Sequence, residues 1–265
     1  MMNNAMNIKD ILEWYLLAGV DEICGDEPLS VEINKTKSMP EVNVQSNRPV
    51  ISSLAQNTNG AYKNATDICD KVNSLADLLT EMEKFDGCAL KHTASKIVFG
   101  DGNPNAKLLL IGEAPGADED RVGKPFVGRS GQLLDKMMAA IGYDREQFYI
   151  CNIIPWRPPG NRTPLDSEVA VCLPFLKKQI DLVDPDFIFI LGGSAANSLL
   201  NMGETISKMR GHWYDYKKSN GKTAKVLASF HPAYLLRSAG QKAKAWADIL
   251  RLKKAMDNEN SAENH

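Results

Sequence analysis

Four short, nearly unbroken apolar runs constrain this chain most: AKLLLI (residues 106–111), QFYICN (147–152), FIFIL (187–191) and KVLAS (225–229). A run this short and this apolar reads as a strand buried on both faces, the pattern of a parallel sheet. The segments between them carry helical spacing. Residues 130–141 open with Ser130. Residues 165–180 place Asp166 and Glu168 in the first turn, where the helix dipole favours acids. Residues 194–202 follow the Gly192-Gly193 pair, and residues 241–256 form a last helix. Strands separated by helices predict the α/β class: a single three-layer α/β/α domain on a four-stranded, mostly parallel sheet.

The rest of the chain divides around that domain. Ile8, Ile11, Leu12, Tyr15, Leu16 and Val20 give residues 7–19 an amphipathic helical period within an N-terminal element, 1–24. Residues 25–64 are rich in Asn, Ser, Thr, Pro and Val without a sustained period and read as a flexible linker. The domain itself spans 65–256. It begins with a helix over 65–84 carrying Ile68, Val72, Leu75, Leu78, Leu79 and Met82 on one face, and a disordered polar tail, 257–265, ends the chain.

Charge and cysteine content narrow the class further. The net charge of −2 argues against a protein that coats nucleic acid by bulk charge. The total conceals an asymmetry, however. Residues 201–256 carry 12 Lys and Arg against 3 Asp and Glu, whereas residues 1–60 carry 4 against 8. The five cysteines include no C-x-x-C pair, and residues 1–10 lack a secretory apolar core. A cytoplasmic protein without a disulfide framework is expected. No apolar run reaches the ~18 residues of a membrane helix. A monomer is the default for this fold, and the N-terminal helix reads either as a docking element for a protein partner or as packed back on the domain.

Open parallel sheets bind ligands beyond the carboxyl ends of their strands. The first strand is followed there by Gly112-Glu113-Ala114-Pro115-Gly116, and the second ends on Asn152, with Arg157-Pro158-Pro159-Gly160-Asn161-Arg162 close behind. The third leads to Gly192-Gly193-Ser194 and the fourth to His231-Pro232-Ala233-Tyr234. A lone Glu after a strand is usually a cap or surface group, and a lone His is usually structural. The convergence of a carboxylate, an amide, a glycine turn and an imidazole marks a site. Between residues 112 and 131 the glycine-rich loop also holds Phe126, readable as core or as an aromatic platform for a flat ligand. Gly128-Arg129-Ser130-Gly131 enters a helix N-terminus, which suits a phosphate. Neither the G-x-x-x-x-G-K-[ST] phosphate loop nor a G-x-G-x-x-G fingerprint occurs at these turns.

Three long segments, GEAPGADEDRVGKPFVGRSGQLLD, CNIIPWRPPGNRTP and HPAYLLR, resemble the family 4 uracil-DNA glycosylases over residues 85–256. The resemblance implies a DNA repair enzyme that flips uracil out of single- or double-stranded DNA and hydrolyses its N-glycosidic bond, leaving an abasic site. Carried over residue by residue, Glu113 would position or activate water, and Gly112 and Phe126 would border the uracil, with Phe126 stacking on it. Asn152 would read N3–H and O4, and His231 would bond O2. The DNA backbone would meet Gly128, Arg129, Ser130, Arg157, Arg162 and Ser194, while Leu236 or Arg237 would fill the gap left by the flipped base. The Asp118–Asp120 region would exclude the thymine methyl.

The chain departs from that family at one place. The family's [4Fe–4S] cluster uses four cysteines, and the matching positions here are Cys88, Lys91, Trp156 and Cys172. Two thiolates do not hold such a cluster, so no metal cofactor is expected, and Cys88 and Cys172 read as remnants. The covalent branch of the superfamily uses a His in an inserted loop, and none stands between Gly116 and Phe126. Two other readings remain open: a non-catalytic DNA- or polymerase-associated binding protein on the same fold, and a glycosylase for hypoxanthine or xanthine.

Overall fold

The computed structural model describes residues 50–263. The helix expected over 7–19, and the linker up to residue 49, lie outside the described residues. The four expected strands form the centre of the sheet: β2 (Leu108–Gly112), β3 (Tyr149–Asn152), β4 (Phe187–Leu191) and β6 (Thr223–Ser229). Two antiparallel strands, β1 (Asp101–Gly102) and β5 (Trp213–Lys217), flank them in the order β1-β3-β2-β4-β6-β5. The sheet therefore has six strands where four were expected. The central strands are buried at almost every residue, which makes them visible as apolar runs. The edge strand β5 (WYDYK) stays partly exposed throughout, and β1 is only two residues long.

Successive residues of each central strand point to opposite faces and fill two cores. Leu109, Ile111, Ile188, Ile190 and Val226 pack under α1 (Val50–Cys69) and α5 (Asp166–Val183). Leu108, Leu110, Ile150, Phe189 and Leu227 pack with Leu134 and Met138 of α4 (Arg129–Ala139) and with Ile249 and Leu252 of α9 (Lys242–Glu263). The result is the expected α/β/α layering. Among the described residues no helix is long and apolar enough to cross a membrane.

Three expected boundaries are corrected. The linker assigned to 25–64 is helical from Val50, as part of α1. The helix expected over 65–84 is broken: α1 ends at Cys69, and α2 (Leu75–Lys84) starts again behind Ser74, whose hydroxyl accepts the Asp77 N–H at 3.1 Å. A serine cap of this kind satisfies a free N–H and fixes a helix start inside a continuous apolar period. The tail expected from 257 is helical to Glu263, supported by a Lys253–Asp257 pair one turn apart and by the Ser261 hydroxyl on the Asp257 carbonyl.

Helices occupy the connections between strands: α3 (Ala117–Val122) and then α4 after β2, α6 (Gly193–Leu200) after β4, α7 (Ile206–Met209) before β5, and α8 (Pro232–Arg237) after β6. Gly112 pairs with Asn152 and Leu191 with Ser229, so the carboxyl ends of the four parallel strands lie level along one edge.

Candidate active site

A cavity of about 450 Å³ opens at that edge. Its walls include Glu113, Phe126, Ser130, Asn152, Arg162, His231 and Arg237. Seven of the residues singled out in the sequence thus meet in one hollow. Gly112 lies beneath it, and a Cβ there would collide with Asn152 Oδ1 and the Phe126 ring. Glycine is required because the amide and the aromatic ring close over the backbone at that point.

Each wall is held by its own chain chemistry. Asn152 ends β3 and is buried. His231 is the N-cap of α8. Its Nδ1 accepts the Ala233 N–H at 3.1 Å, with Pro232 in the first helical position, where a missing N–H costs nothing. That bond leaves the proton of the neutral ring on Nε2, available to donate. Burial, reinforced by the positive charge of Arg237 and opposed by Glu119, pushes the imidazole down to about 4, so the ring is neutral at physiological pH. The Phe126 and His231 rings lie 5.7 Å apart at 30°. Glu113 Oε1 is buried without a hydrogen-bond partner. A buried carboxylate oxygen without a partner is costly unless a water or substrate group completes it.

Phe126 sits in the left-handed region, φ 55°, a conformation that costs a non-glycine residue about 1–3 kcal/mol. Two side chains hold it: Glu119, which the sequence marks only as part of the Asp118–Asp120 region, and Arg145, which it does not mark at all. Glu119, buried and in the cavity wall, accepts N–H groups from Gly116 at 3.1 Å, Val127 at 3.0 Å and Gly128 at 2.9 Å. It thereby ties the Glu113 loop to the Phe126 loop. Arg145 donates to the carbonyls of Pro125 at 3.2 Å and Phe126 at 2.7 Å. In the sequence Glu119 looks like an ordinary first-turn acid, and Arg145 belongs to no motif. Tyr234, Asn161 and Thr163 also line the hollow without having been singled out individually.

The remaining expected contacts lie outside the lining. Gly128 is the buried N-cap of α4, and Arg129 beside it is exposed. The Arg157 Nε donates to Asn161 Oδ1 at 2.7 Å. Ser194 is the second residue of α6, and Leu236 is exposed on α8. Of the Asp118–Asp120 region, expected to exclude the thymine methyl, the structure brings one residue to the cavity. Asp118 is exposed and pairs with Arg121, and Asp120 accepts the Ser95 and Lys96 N–H groups. Only Glu119 of the three reaches the cavity, and all three of its bonds described above hold backbone. Arg162 is oriented by a two-pronged bond to Glu168, at 2.9 and 2.6 Å. This pairing draws the Glu168 carboxyl below its usual range.

The family's iron–sulfur position can be tested on the residues present. The Cys172 thiol donates to Cys88 at 3.8 Å, which leaves no volume between the two sulfurs for a cubane of iron and sulfide. That bond and burial hold the Cys172 thiol well above the usual thiol range. Trp156 is buried in the same packed cluster, and the Lys91 ammonium turns to the Glu83 carbonyl at 2.6 Å and Asp86 at 2.8 Å. These donors do not fit the cluster. Among the described residues no group of three or more His, Cys, Asp or Glu could hold a metal ion.

Comparison with known proteins places this architecture. Residues 99–250 match the Uracil DNA glycosylase superfamily, and the chain belongs to it. Within that class its relatives include the Type-4 uracil-DNA glycosylase of Thermotoga maritima, 40% identical over 62% of this chain and 84% of that protein. The Type-4 enzyme of Archaeoglobus fulgidus is 41% identical with the same coverage. A segment of the DNA polymerase of Bacillus phage SP01 is 30% identical over 56% of this chain and 16% of that protein.

Proposed function

We propose that the chain is a DNA repair glycosylase that removes uracil from DNA by hydrolysis, leaving an abasic site and free uracil. A base within a duplex is out of reach, so it is flipped into the cavity at a cost of about a few kcal/mol. The uracil ring stacks on Phe126 above Gly112. The Asn152 amide accepts N3–H and donates to O4, an arrangement that leaves cytosine facing donor to donor. As the glycosidic bond breaks, negative charge grows on O2, and the neutral His231 donates to it from Nε2. Glu113 aligns the attacking water and offsets positive charge on the sugar, as carboxylates do in glycoside hydrolysis. Backbone N–H groups near Gly128 and Ser194, with Arg129, Ser130, Arg157 and Arg162, hold phosphates without reading sequence. Leu236 or Arg237 takes the space the base vacates.

One observation carries this reading: Glu113, whose buried Oε1 has no hydrogen-bond partner, lines the same cavity as Asn152, His231 and Phe126. An unsatisfied carboxylate oxygen on a residue that shares its cavity with a donor imidazole supports hydrolytic chemistry over passive binding. In our reading the enzyme works without an iron–sulfur cluster, as a cytoplasmic monomer, and residues 1–24 are available to a protein partner.

The test is incubation with oligonucleotides bearing one uracil, single- and double-stranded, followed by alkali. Strand scission at the uracil is expected. DNA binding without scission on either substrate would overturn the reading and favour the non-catalytic alternative. Scission only at hypoxanthine or xanthine would reassign the base. Iron and acid-labile sulfide in the purified protein would overturn the cluster-free reading.

A further inference from the structure

The geometry points to Arg145 as a positioning residue that holds Phe126 in its left-handed conformation, and so sets the plane on which the flipped base stacks. The inference rests on Phe126 being that stacking surface.

Phe126 carries a positive φ without being glycine. Nothing intrinsic to its side chain favours that conformation, so its surroundings must impose it. From the cavity side, Glu119 takes the N–H groups of the two residues after it, Val127 and Gly128. From the opposite side, the Arg145 guanidinium takes the carbonyls of Pro125 and of Phe126 itself. The loop is thus held by its N–H groups through a carboxylate and by its carbonyls through a guanidinium. The helix behind it leaves no slack, because a Cβ on Gly131 would run into the Phe126 backbone.

Arg145 is itself aimed. Its Nε donates to Asp135 at 2.8 Å, Asp101 lies 3.5 Å from its Nη1, and its guanidinium sits 5.9 Å from the centre of the Phe148 ring. Five N–H donors in a rigid fork can serve two carbonyls and a carboxylate together, which a lysine ammonium on a flexible stem does not reproduce. Arg145 does not line the cavity, so it acts on substrate only through the backbone it holds.

A double-mutant cycle on kcat/KM for a uracil oligonucleotide separates positioning from general stability. Arg145→Ala is expected to lose about 100-fold, as a misplacement of about 1 Å does. In a Phe126→Ala background, the same substitution is expected to change kcat/KM by less than about twofold, because no ring remains to be placed. Arg145→Lys should recover only part of the loss. Additive losses in the cycle, or an unchanged Arg145→Ala enzyme, would overturn the inference. Should Arg145→Ala not fold, Asp135→Asn at the exposed end of the same chain of bonds carries the test, with a smaller loss and the same non-additivity. A Phe126→Ala enzyme of full activity would instead bring down the stacking surface itself, a result distinct from additivity beside a crippled Phe126→Ala.

Discussion

Two regions only four residues apart in the chain are built on opposite principles. Asn152 ends β3 in the cavity, and Trp156 closes a packed corner with Cys88 and Cys172. The cavity keeps polar groups unmet: Glu113 Oε1 has no partner, and the His231 ring is held neutral with one nitrogen spoken for. The corner leaves nothing unmet. Its thiols bond each other, Phe85 and Phe175 meet edge to face at 4.9 Å, and Lys91 sends its charge outward to Asp86. Unspent hydrogen-bonding capacity in a cavity wall is where a ligand can be met. At the position where the resemblance would put a cluster, that capacity is spent on packing.

The largest expected effect falls on the corner. Trp156→Ala removes a buried indole and should cost about 3–5 kcal/mol of stability. Thermal unfolding would show it as a lower Tm, with kcat per folded molecule unchanged. A loss of kcat at unchanged Tm would break the comparison by giving the corner a catalytic role. Next come the cavity groups. Asn152→Ala and His231→Ala should each lower kcat by about 100- to 1,000-fold, the usual cost of one transition-state donor. DNA affinity, measured by fluorescence anisotropy, should hardly move; a parallel loss of binding would contradict the roles assigned. Smaller again, Cys88→Ala should cost about 1 kcal/mol, the centre of the range for point mutants, with no change in activity. Activity that falls with this thiol would reopen the question of a cofactor.

These contrasts follow how the sequence could be read. The central strands were legible because burial on both faces writes a continuous apolar run, and the alignment of their ends followed from parallel topology. The edge strands and the break at Ser74 were not, since WYDYK looks like a surface segment and the apolar period runs straight through residues 70–74. In the site, Glu113, Asn152 and His231 were legible because each directly follows or ends a strand. Arg129 and Arg157 were legible as basic residues beside a turn, but which way such a side chain points is set by local backbone geometry. Glu119 and Arg145 serve backbone groups up to 20 residues away, and a bond to a carbonyl or N–H places no demand on the partner's identity, so no motif records it.

The smallest expected effect is a near-absence of change, and it tests the cavity most directly. With its pKa at about 4, His231 should be only about 1% protonated at pH 6, where an ordinary imidazole would be mostly charged. Between pH 8 and pH 6 this residue should therefore alter kcat/KM by less than about twofold. Stability should respond where activity does not. A depressed folded pKa means the unfolded chain takes up a proton that the folded chain refuses, so this contribution is intact above about 6.5 and is lost as pH falls towards about 4. Thermal melts of the wild type and of His231→Gln should accordingly converge, or cross, as pH drops through that window. An NMR titration of the ring with a midpoint near 6.5 would mean that water reaches His231 freely. The contrast between a cavity wall that shields its imidazole for the substrate and a corner closed by packing would then fail on the cavity side, because a solvated imidazole donates to water as readily as to uracil O2.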